Sequence, residues 1–217
     1  ASSIAMDKEI SKKIFIKNKI LTPKYFKFKF NKEFKKKDLI NKIKKKLGFP
    51  VVIKPFNEGS SVEVYICSKL NLLSNLYKLT SYKEIMIEKY IPGREIQVAI
   101  MGDKKLGTIE LVPKRNFYDY KAKYDKNAKT KHLLPVDLPK NKIKEVENIA
   151  LKAHKITKCK GITRSDFRFY NNKFYLLEIN TQPGMTRLSL VPEIAKYKGI
   201  NFYNLITWII NDASINR

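Results

Sequence analysis

An α+β fold is predicted by three observations on the sequence. Segments with apolar residues at helical spacing are mixed with short alternating runs, in no regular order. The strand–helix–strand repeat of a Rossmann fold does not occur, and neither GxGxxG nor GxxxxGK[ST] is present. Hydrophobic residues make up 43% of the 217 residues, enough to bury a core in one domain or two small ones. If a nucleotide binds, another device must hold its phosphates.

Two helices are predicted in the first fifty residues. Met6, Ile10 and Ile14 recur at helical spacing, and Asp7 is placed to cap the helix that they mark. A second helix is predicted from Asp38 to Gly48, because a glycine often ends a helix. Its apolar face is formed by Leu39, Ile43 and Leu47.

Strands dominate the next sixty residues. The apolar run 50–55 predicts a buried strand, and the alternating residues at 62–66 predict a second one after a turn at 57–61. A helix is predicted over 69–81, with one apolar side: Leu70, Leu73, Leu76 and Tyr77. Three more strands follow, of which a turn at Gly102-Asp103 joins the last two: Glu84–Ile91, Glu95–Met101 and Leu106–Val112.

The second half begins with a polar, Tyr- and Lys-rich segment, 114–134, that shows no periodicity. A loop of that length inside a compact domain is usually functional. A helix follows and ends near Gly161, then a hairpin at 162–180 and an apolar helix around 202–210. The first of these helices is marked by Ile143, Val146, Ile149, Ala150 and Ala153.

The hairpin allows two registers. A two-residue turn at Asn171-Asn172 would put Asp166 and Glu178 on opposite faces of the sheet. A three-residue loop, 171–173, would place Asp166 opposite Glu178 and Arg164 opposite Asn180. We predict the longer loop, because it leaves the other face wholly apolar. That face would carry Phe167, Phe169, Tyr175, Leu177 and Ile179.

Three groups of residues are candidates for chemistry. Lys54 before the turn at 57–61 can surround a phosphate with an ammonium, hydroxyls and backbone N–H groups, although an ordinary hairpin turn explains the pattern too. The predicted patch at Asp166 and Glu178 offers oxygen ligands suited to Mg²⁺, or else a sheet face with solvated charges. The connection 88–95 can meet an adenine edge and a ribose, but such connectors are common.

Charge and composition argue against several classes of partner. The net charge is +25, but the positive residues are mostly lysines spread over the whole chain, which favours a solvated surface over a nucleic-acid interface. No apolar run approaches the roughly 20 residues that span a bilayer. Cys67 and Cys159 lie far apart and predict neither a disulfide nor a metal site. We expect no nucleic acid, no membrane and a cytoplasmic location. Arginine is confined to Arg94, Arg115, Arg164, Arg168, Arg187 and Arg217.

Taken in order, several motifs resemble the D-alanine–D-alanine ligase family of the ATP-grasp fold, and they span almost the whole chain. E-G-S-S-V begins at Glu58, and Y-D-Y-K-A-K-Y begins at Tyr118. E-I-N-T-Q-P-G-M-T begins at Glu178. The second and third motifs together are the most specific evidence for the resemblance. The resemblance implies two α+β subdomains, 1–87 and 88–217, with the nucleotide held between them. Glu63 departs from the glycine that commonly follows E-G-S-S-V.

The resemblance also implies the site residues. The family's nucleotide-binding positions correspond to these residues of the chain: Lys8, Lys54, Glu88, Lys89, Ile91, Glu95 and Lys123. The ligands of two Mg²⁺ ions, for which Mn²⁺ can substitute, match Asp166, Glu178 and Asn180. Positions around D-alanine match Ser60, Tyr124, Arg164, Gly184, Ser189 and Leu190. Catalytic roles are implied for Arg164, Ser60, Lys123, Tyr124 and Gly184, with Lys54 at the phosphates, Glu95 at the ribose and Arg164 at the oxyanion.

The implied activity is ATP-dependent joining of two D-alanines through an acyl phosphate, in peptidoglycan precursor synthesis, with the segment 114–134 closing over the γ-phosphate. The implied assembly is a homodimer of the full-length enzyme. The family's N-terminal domain has no match here, so we expect the 217-residue chain alone to be inactive. Two alternatives stay open. One is another ATP-grasp carboxylate–amine ligase, including the D-alanine–D-lactate type, and the other is a non-catalytic basic nucleic-acid-binding module.

Overall fold

The structure is a computed structural model that describes residues 1–30, 35–59, 62–113 and 130–214. These residues combine helices with antiparallel sheets, so the α+β class is confirmed. They fall into two compact units, one with the described parts of 23–92 and one with 1–22, 93–113 and 130–214. Among the described residues, no helix has both the length and the apolar character needed to cross a membrane.

The smaller unit contains the elements β1 (Tyr25–Lys29), α3 (Lys36–Lys46), β2 (Val51–Lys54), β3 (Tyr65–Cys67), α4 (Leu72–Lys78) and β4 (Glu84–Lys89). Its four described strands form an antiparallel sheet in the order β1-β4-β2-β3. One face of this sheet is apolar and packs against the helices, with Ile53, Ile85 and Ile87 fully buried beside Leu72 of α4. The opposite face carries the residues that alternate with them, including Lys54 and Glu88.

Several expectations for this unit need correction. Strand β1 was not predicted, although its phenylalanines alternate with lysines and pair with β4. The strand expected over 62–66 is limited to β3, with Val62 exposed. The helix expected over 69–81 is shorter, and it buries Leu72 and Leu76 while Leu70 is 95% exposed. Of the predicted face, Leu76 is buried and Leu73 is partly buried against the core, while Leu70 and Tyr77 are exposed and Leu72 is buried instead.

The larger unit contains the elements α1 (Ser2–Met6), α2 (Lys8–Lys17), β5 (Arg94–Met101), β6 (Lys104–Val112), β7 (Lys131–Leu133), α5 (Lys140–Ile156), β8 (Ile162–Tyr170), β9 (Lys173–Asn180), α6 (Leu190–Tyr197) and α7 (Phe202–Asp212). Its five described strands form a sheet in the order β7-β6-β5-β8-β9. Helix α5 packs on one face of this sheet through Val146, Ala150 and Ala153, against Val98 and Phe167.

The first helices belong to the larger unit, which differs from the expected division at 87/88. The cause is packing: Ala5, Phe15 and Ile20 join the core of the larger unit, and the Leu176 N–H of β9 donates to the Leu21 carbonyl at 2.8 Å. The division into 1–87 and 88–217 therefore stays a statement about the family resemblance, while these compact units follow the contacts.

Helix α2 has the predicted cap but not the predicted buried face. Asp7 Oδ1 accepts hydrogen bonds from the N–H groups of Glu9 and Ile10, at 2.8 and 3.0 Å. Ile10 is 45% exposed, whereas Lys12 is fully buried and its Nζ donates to Thr22 Oγ1 at 2.7 Å. A helix whose buried stripe includes lysines cannot be oriented from apolar spacing alone.

In the second half, α6 was not predicted, and the expected loop 114–134 includes β7 at its end. Residues 114–129 lie outside the described residues, so the interpretation of that segment as a lid stays a prediction. The helix expected near 202–210 is present as α7.

Candidate active site

A two-residue turn connects β8 to β9, so the predicted three-residue loop is wrong. Asn171 and Asn172 both have positive φ, 47° and 59°, as a type I′ turn requires. Tyr170 therefore pairs with Lys173, and the same register continues to Phe167 opposite Leu176. Asparagine tolerates this left-handed conformation better than most residues.

A β-bulge then restores the pairing that the sequence predicted. The register shifts by one residue between Phe167 and Asp166, with Leu177 as the extra residue on β9. Beyond the bulge Asp166 lies opposite Glu178, and Arg164 lies opposite Asn180, as predicted. Directly opposed residues of an antiparallel pair share a face of the sheet.

The bulge also corrects the predicted apolar face. Phe167 and Ile179 are buried in the core as expected, and Phe169 packs against it as a partly buried residue. Tyr175 and Leu177 were expected to face the core, but Phe174 and Leu176 do so instead and are 2% and 0% exposed. Tyr175 and Leu177 are only half-buried.

Opposite the core, three strands align polar residues in one row. Gln97 of β5 lies opposite Asp166, which lies opposite Glu178. The next row of that face contains Ala99, Arg164 and Asn180. The structure thus brings together three predicted metal ligands and the predicted oxyanion residue on one face of one sheet.

Charge on this face is balanced by basic side chains. Arg164 donates from Nε and Nη2 to the two carboxylate oxygens of Asp166, at 2.7 and 2.9 Å. Lys8, the first residue of α2, places Nζ 3.9 Å from Glu178 Oε2. A bidentate arginine fork is among the strongest and most directional contacts of a carboxylate. Arg164 therefore fixes where the Asp166 oxygens point.

The donor set agrees with a hard cation, although the described residues include no cluster of three His, Cys, Asp or Glu side chains that could hold a metal ion. Asp166 and Glu178 supply carboxylate oxygens, and Asn180 supplies an amide oxygen that accepts the Gln182 N–H at 3.0 Å. Mg²⁺ commonly binds through one or two carboxylates and completes its shell with water and phosphate. Two carboxylates beside an amide are consistent with that pattern.

Glu95 is held by an arginine that sequence reasoning missed. Arg168 Nη2 lies 3.3 Å from Glu95 Oε2, and Arg168 Nη1 donates to the Gly93 carbonyl at 3.1 Å. Arg168 is only 8% exposed, and its pairing with Glu95 follows from the β5–β8 register. The strand pairing, which is not visible in the sequence, was the signal needed to find it.

The segment before α6 brings together two of the predicted substrate residues. A Cβ on Gly184 would lie 2.8 Å from Ser189 Oγ, so the two residues are in close contact. Ser189 Oγ accepts the Thr186 N–H at 3.0 Å and lies 2.9 Å from Thr186 Oγ1. Leu190 begins α6 and is buried.

In the smaller unit, two predicted nucleotide residues form a buried ion pair. Lys54 Nζ lies 2.5 Å from Glu88 Oε1, with the residues 7% and 3% exposed. They lie on the same face of the β2–β4 pair, because Lys54 is opposite Met86 and Glu88 is opposite Val52. Lys89 is exposed, and Ile91 is buried. Removing one member of a buried pair is costly because the other charge loses its partner.

The unusual Glu63 adopts a left-handed backbone conformation, with φ at 53°. This explains why a glycine is suited to the position. The Glu63 side chain accepts a hydrogen bond from the Tyr65 hydroxyl. That bond, with burial and the Glu63 charge, raises the pKa of Tyr65 to about 12.

Three predicted site residues, Ser60, Lys123 and Tyr124, lie outside the described residues. Their roles stay predictions from the sequence.

Comparison with known proteins decides the family. The family model for the C-terminus of D-Ala–D-Ala ligases matches residues 14–211. The chain belongs to the D-alanine–D-alanine ligase family. A D-alanine–D-alanine ligase of Pelagibacter ubique is 70% identical over 217 residues, which are 100% of this chain and 71% of the relative.

Solved structures of ligases resemble the fold of this chain. The D-alanine–D-alanine ligase of Bacillus anthracis complexed with ATP has a TM-score of 0.78 at 32% identity, over 96% of this chain and 66% of that one. VanG D-Ala:D-Ser ligase of Enterococcus faecalis has a TM-score of 0.81 at 26% identity, over 96% of this chain and 62% of that one. Ligases with different second substrates therefore share this fold.

Proposed function

We propose that the chain contains the ATP- and metal-binding catalytic residues of a D-alanine–D-alanine ligase, which joins two D-alanines while ATP becomes ADP and phosphate. The observation that carries the proposal is the bulged β8–β9 hairpin, which puts Asp166 and Glu178 on one face beside Arg164 and Asn180. Family membership and the ATP complex of the Bacillus anthracis relative support the same reading.

Asp166, Glu178 and Asn180 are the residues that would hold Mg²⁺, as one or two ions. When bound, Mg²⁺ neutralises the negative charge of the nucleotide phosphates. Lys8 and Arg164 lie beside the two carboxylates and partly balance their negative charge. Lys54, Glu88, Lys89, Ile91 and Glu95 are proposed for the nucleotide, with Lys123 from the sequence alone. Mn²⁺ should substitute for Mg²⁺.

The reaction has two steps. A carboxylate oxygen of the first D-alanine attacks the γ-phosphorus of ATP, and the bond to the β-phosphate oxygen breaks to release ADP. The amine of the second D-alanine then attacks the acyl carbon, loses a proton and expels phosphate as the peptide bond forms. Negative charge develops on oxygen in both steps, so fixed cationic groups should contribute most to the rate.

Arg164 is proposed to stabilise the oxyanion of the second step. Its bidentate contact with Asp166 holds the guanidinium in one orientation, and preorganised donors need not reorient during the reaction. Gly184, Ser189 and Leu190 are proposed for substrate binding, together with Ser60 and Tyr124. Gly184 leaves room that any side chain would fill, since its Cβ would contact Ser189 Oγ at 2.8 Å.

The identity of the second substrate is proposed separately. We propose D-alanine, on the name of the 70% identical relative. D-lactate and D-serine are the alternatives, because the VanG enzyme is named for D-serine and shares the fold. Binding of DNA without ATP would favour the nucleic-acid alternative. A homodimer and a cytoplasmic location are also proposed, on the family resemblance alone.

The test is an assay of phosphate release and dipeptide formation from ATP and D-alanine. It is run on the 217-residue chain and on a joined protein, in which the chain is fused to the part of the Pelagibacter relative that it does not match. We expect D-alanine-dependent activity in the joined protein, and lower activity when D-lactate or D-serine is the second substrate. An inactive joined protein that still folds would contradict the proposed function.

A further inference from the structure

Gln97 is a buried polar residue of the active-site face that neither the sequence motifs nor the proposed roles account for. It lies in the middle of β5 and is 1% exposed. Its side-chain oxygen, Oε1, is buried and has no hydrogen-bond partner within the described part of the chain. A buried acceptor without a partner destabilises the folded state, because water is lost and nothing replaces it.

The strand register places Gln97 beside the predicted metal ligands. It lies directly opposite Asp166 on β8, and Asp166 lies directly opposite Glu178 on β9, so the three form one row. On its other side Gln97 is opposite Ile109 of β6, which is fully buried. Gln97 is therefore the polar end of the row, next to the apolar part of the sheet.

The neighbouring cations on this face are directed at other groups. Arg164 donates to both oxygens of Asp166, and Arg168 contacts Glu95 and the Gly93 carbonyl. An amide oxygen is an acceptor only, so its partner in the working enzyme must be a cation or a donor group. Phosphate oxygens are excluded as partners, since they are acceptors as well.

We propose that Gln97 Oε1 faces the divalent cation held at Asp166 and Glu178, either as a ligand or through a water of the cation. This inference rests on the proposed function. Side-chain amide oxygens are suitable groups for a hard cation, and residues that orient a metal's first shell typically change its affinity about 10–100-fold. The same oxygen destabilises the metal-free protein.

The test uses Gln97→Met, which keeps the length of the side chain and removes the amide. Ser165→Ala is the matched control, because Ser165 Oγ is also buried without a partner among the described residues but faces Val98 and Ile179 of the core. Mn²⁺ binding in the presence of ADP is measured by electron paramagnetic resonance. ADP affinity with and without Mn²⁺, and thermal unfolding without metal, are measured on the same proteins.

Both variants should melt about 2–4 °C or more above the parent chain, since each loses an unpartnered polar atom. Only Gln97→Met should bind Mn²⁺ about tenfold or more weakly, with unchanged ADP affinity in the absence of metal. Gln97→Glu, which keeps an oxygen at the site, should bind Mn²⁺ at least as well as the parent.

Three results would overturn the inference. Equal Mn²⁺ affinity in Gln97→Met and the parent would remove Gln97 from the cation. Equal loss of ADP affinity with and without Mn²⁺ would assign the oxygen to a donor group of the nucleotide. Poor Mn²⁺ binding by a well-folded Gln97→Glu would assign the effect to packing. If the parent chain itself bound no Mn²⁺ with ADP, the proposed function would fail first, which separates the two claims.

Discussion

Gly93 packs against β8 and its carbonyl accepts a hydrogen bond from Arg168, the arginine beside the proposed nucleotide residue Glu95, so Gly93→Ala should be strongly destabilising. Its φ is +97°, and a Cβ built there would lie 2.3 Å from the Phe169 carbonyl oxygen and 3.2 Å from Tyr170 Cβ. The positive φ costs an alanine about 1–2 kcal/mol. Forcing an atom against the backbone of β8 adds about 1–3 kcal/mol. We expect the free energy of unfolding to fall by about 2–5 kcal/mol in total.

Gly199→Ala is the matched control in the same unit. Its φ is +81°, but no atom of the described residues lies within 4 Å of the Cβ that would be added. It should cost only the conformational part, about 1–2 kcal/mol. Urea denaturation of both variants measures the difference. Gly93→Ala should also weaken ATP binding, because the Gly93 carbonyl accepts a hydrogen bond from Arg168, which contacts Glu95.

The reasoning is refuted if the two variants lose the same stability. That outcome would mean that β8 moves away from the new methyl group without cost, and that the close approach at Phe169 does not constrain the structure.

Two further predictions concern single contacts. Arg168→Met should destabilise the chain, because the buried carboxylate of Glu95 loses its charge partner, and the folded protein should bind ATP at least about fivefold more weakly; unchanged affinity by calorimetry would exclude this positioning role. Glu63→Gln should lower the pKa of Tyr65 from about 12 toward 10, as seen in the tyrosinate absorbance difference between the two proteins. Because the pKa of Tyr65 is raised in the folded state, the contribution of Tyr65 to the free energy of unfolding is complete below pH 10 and is lost as the pH rises toward 12. If Glu63→Gln lost stability with rising pH in the same way as the parent, Glu63 would not be the cause of the raised pKa.

Local patterns predicted most of the strands and the pairing of Asp166 with Glu178. The Asp166–Glu178 pairing was predicted correctly from a wrong loop, because both alternative registers were uniform along the hairpin and the real one shifts at a bulge. A bulge lets a two-residue turn and the pairing of the two carboxylates coexist, and nothing in the periodicity of β9 marks where the extra residue falls.

Other parts depend on tertiary packing and could not be predicted from spacing. Helix α2 buries Lys8 and Lys12, so its apolar residues do not mark its buried face. Arg168 and Gln97 come beside the proposed site residues only when β5 is paired with β8. Strand β1 could have been found, because Phe26 and Phe28 alternate with lysines.

Glu178 and its neighbours on this sheet face are proposed to bind the cation used in ligation. The most direct test is Glu178→Gln in the joined protein, with Glu145→Gln as a control, since Glu145 pairs with Lys142 on α5 and its side chain is 42% exposed. A neutral amide holds Mg²⁺ poorly, so turnover should fall about 100-fold or more and recover in part at high Mg²⁺, while the control keeps parent activity. Near-normal turnover of Glu178→Gln at ordinary Mg²⁺ would exclude Glu178 as a ligand of the catalytic cation.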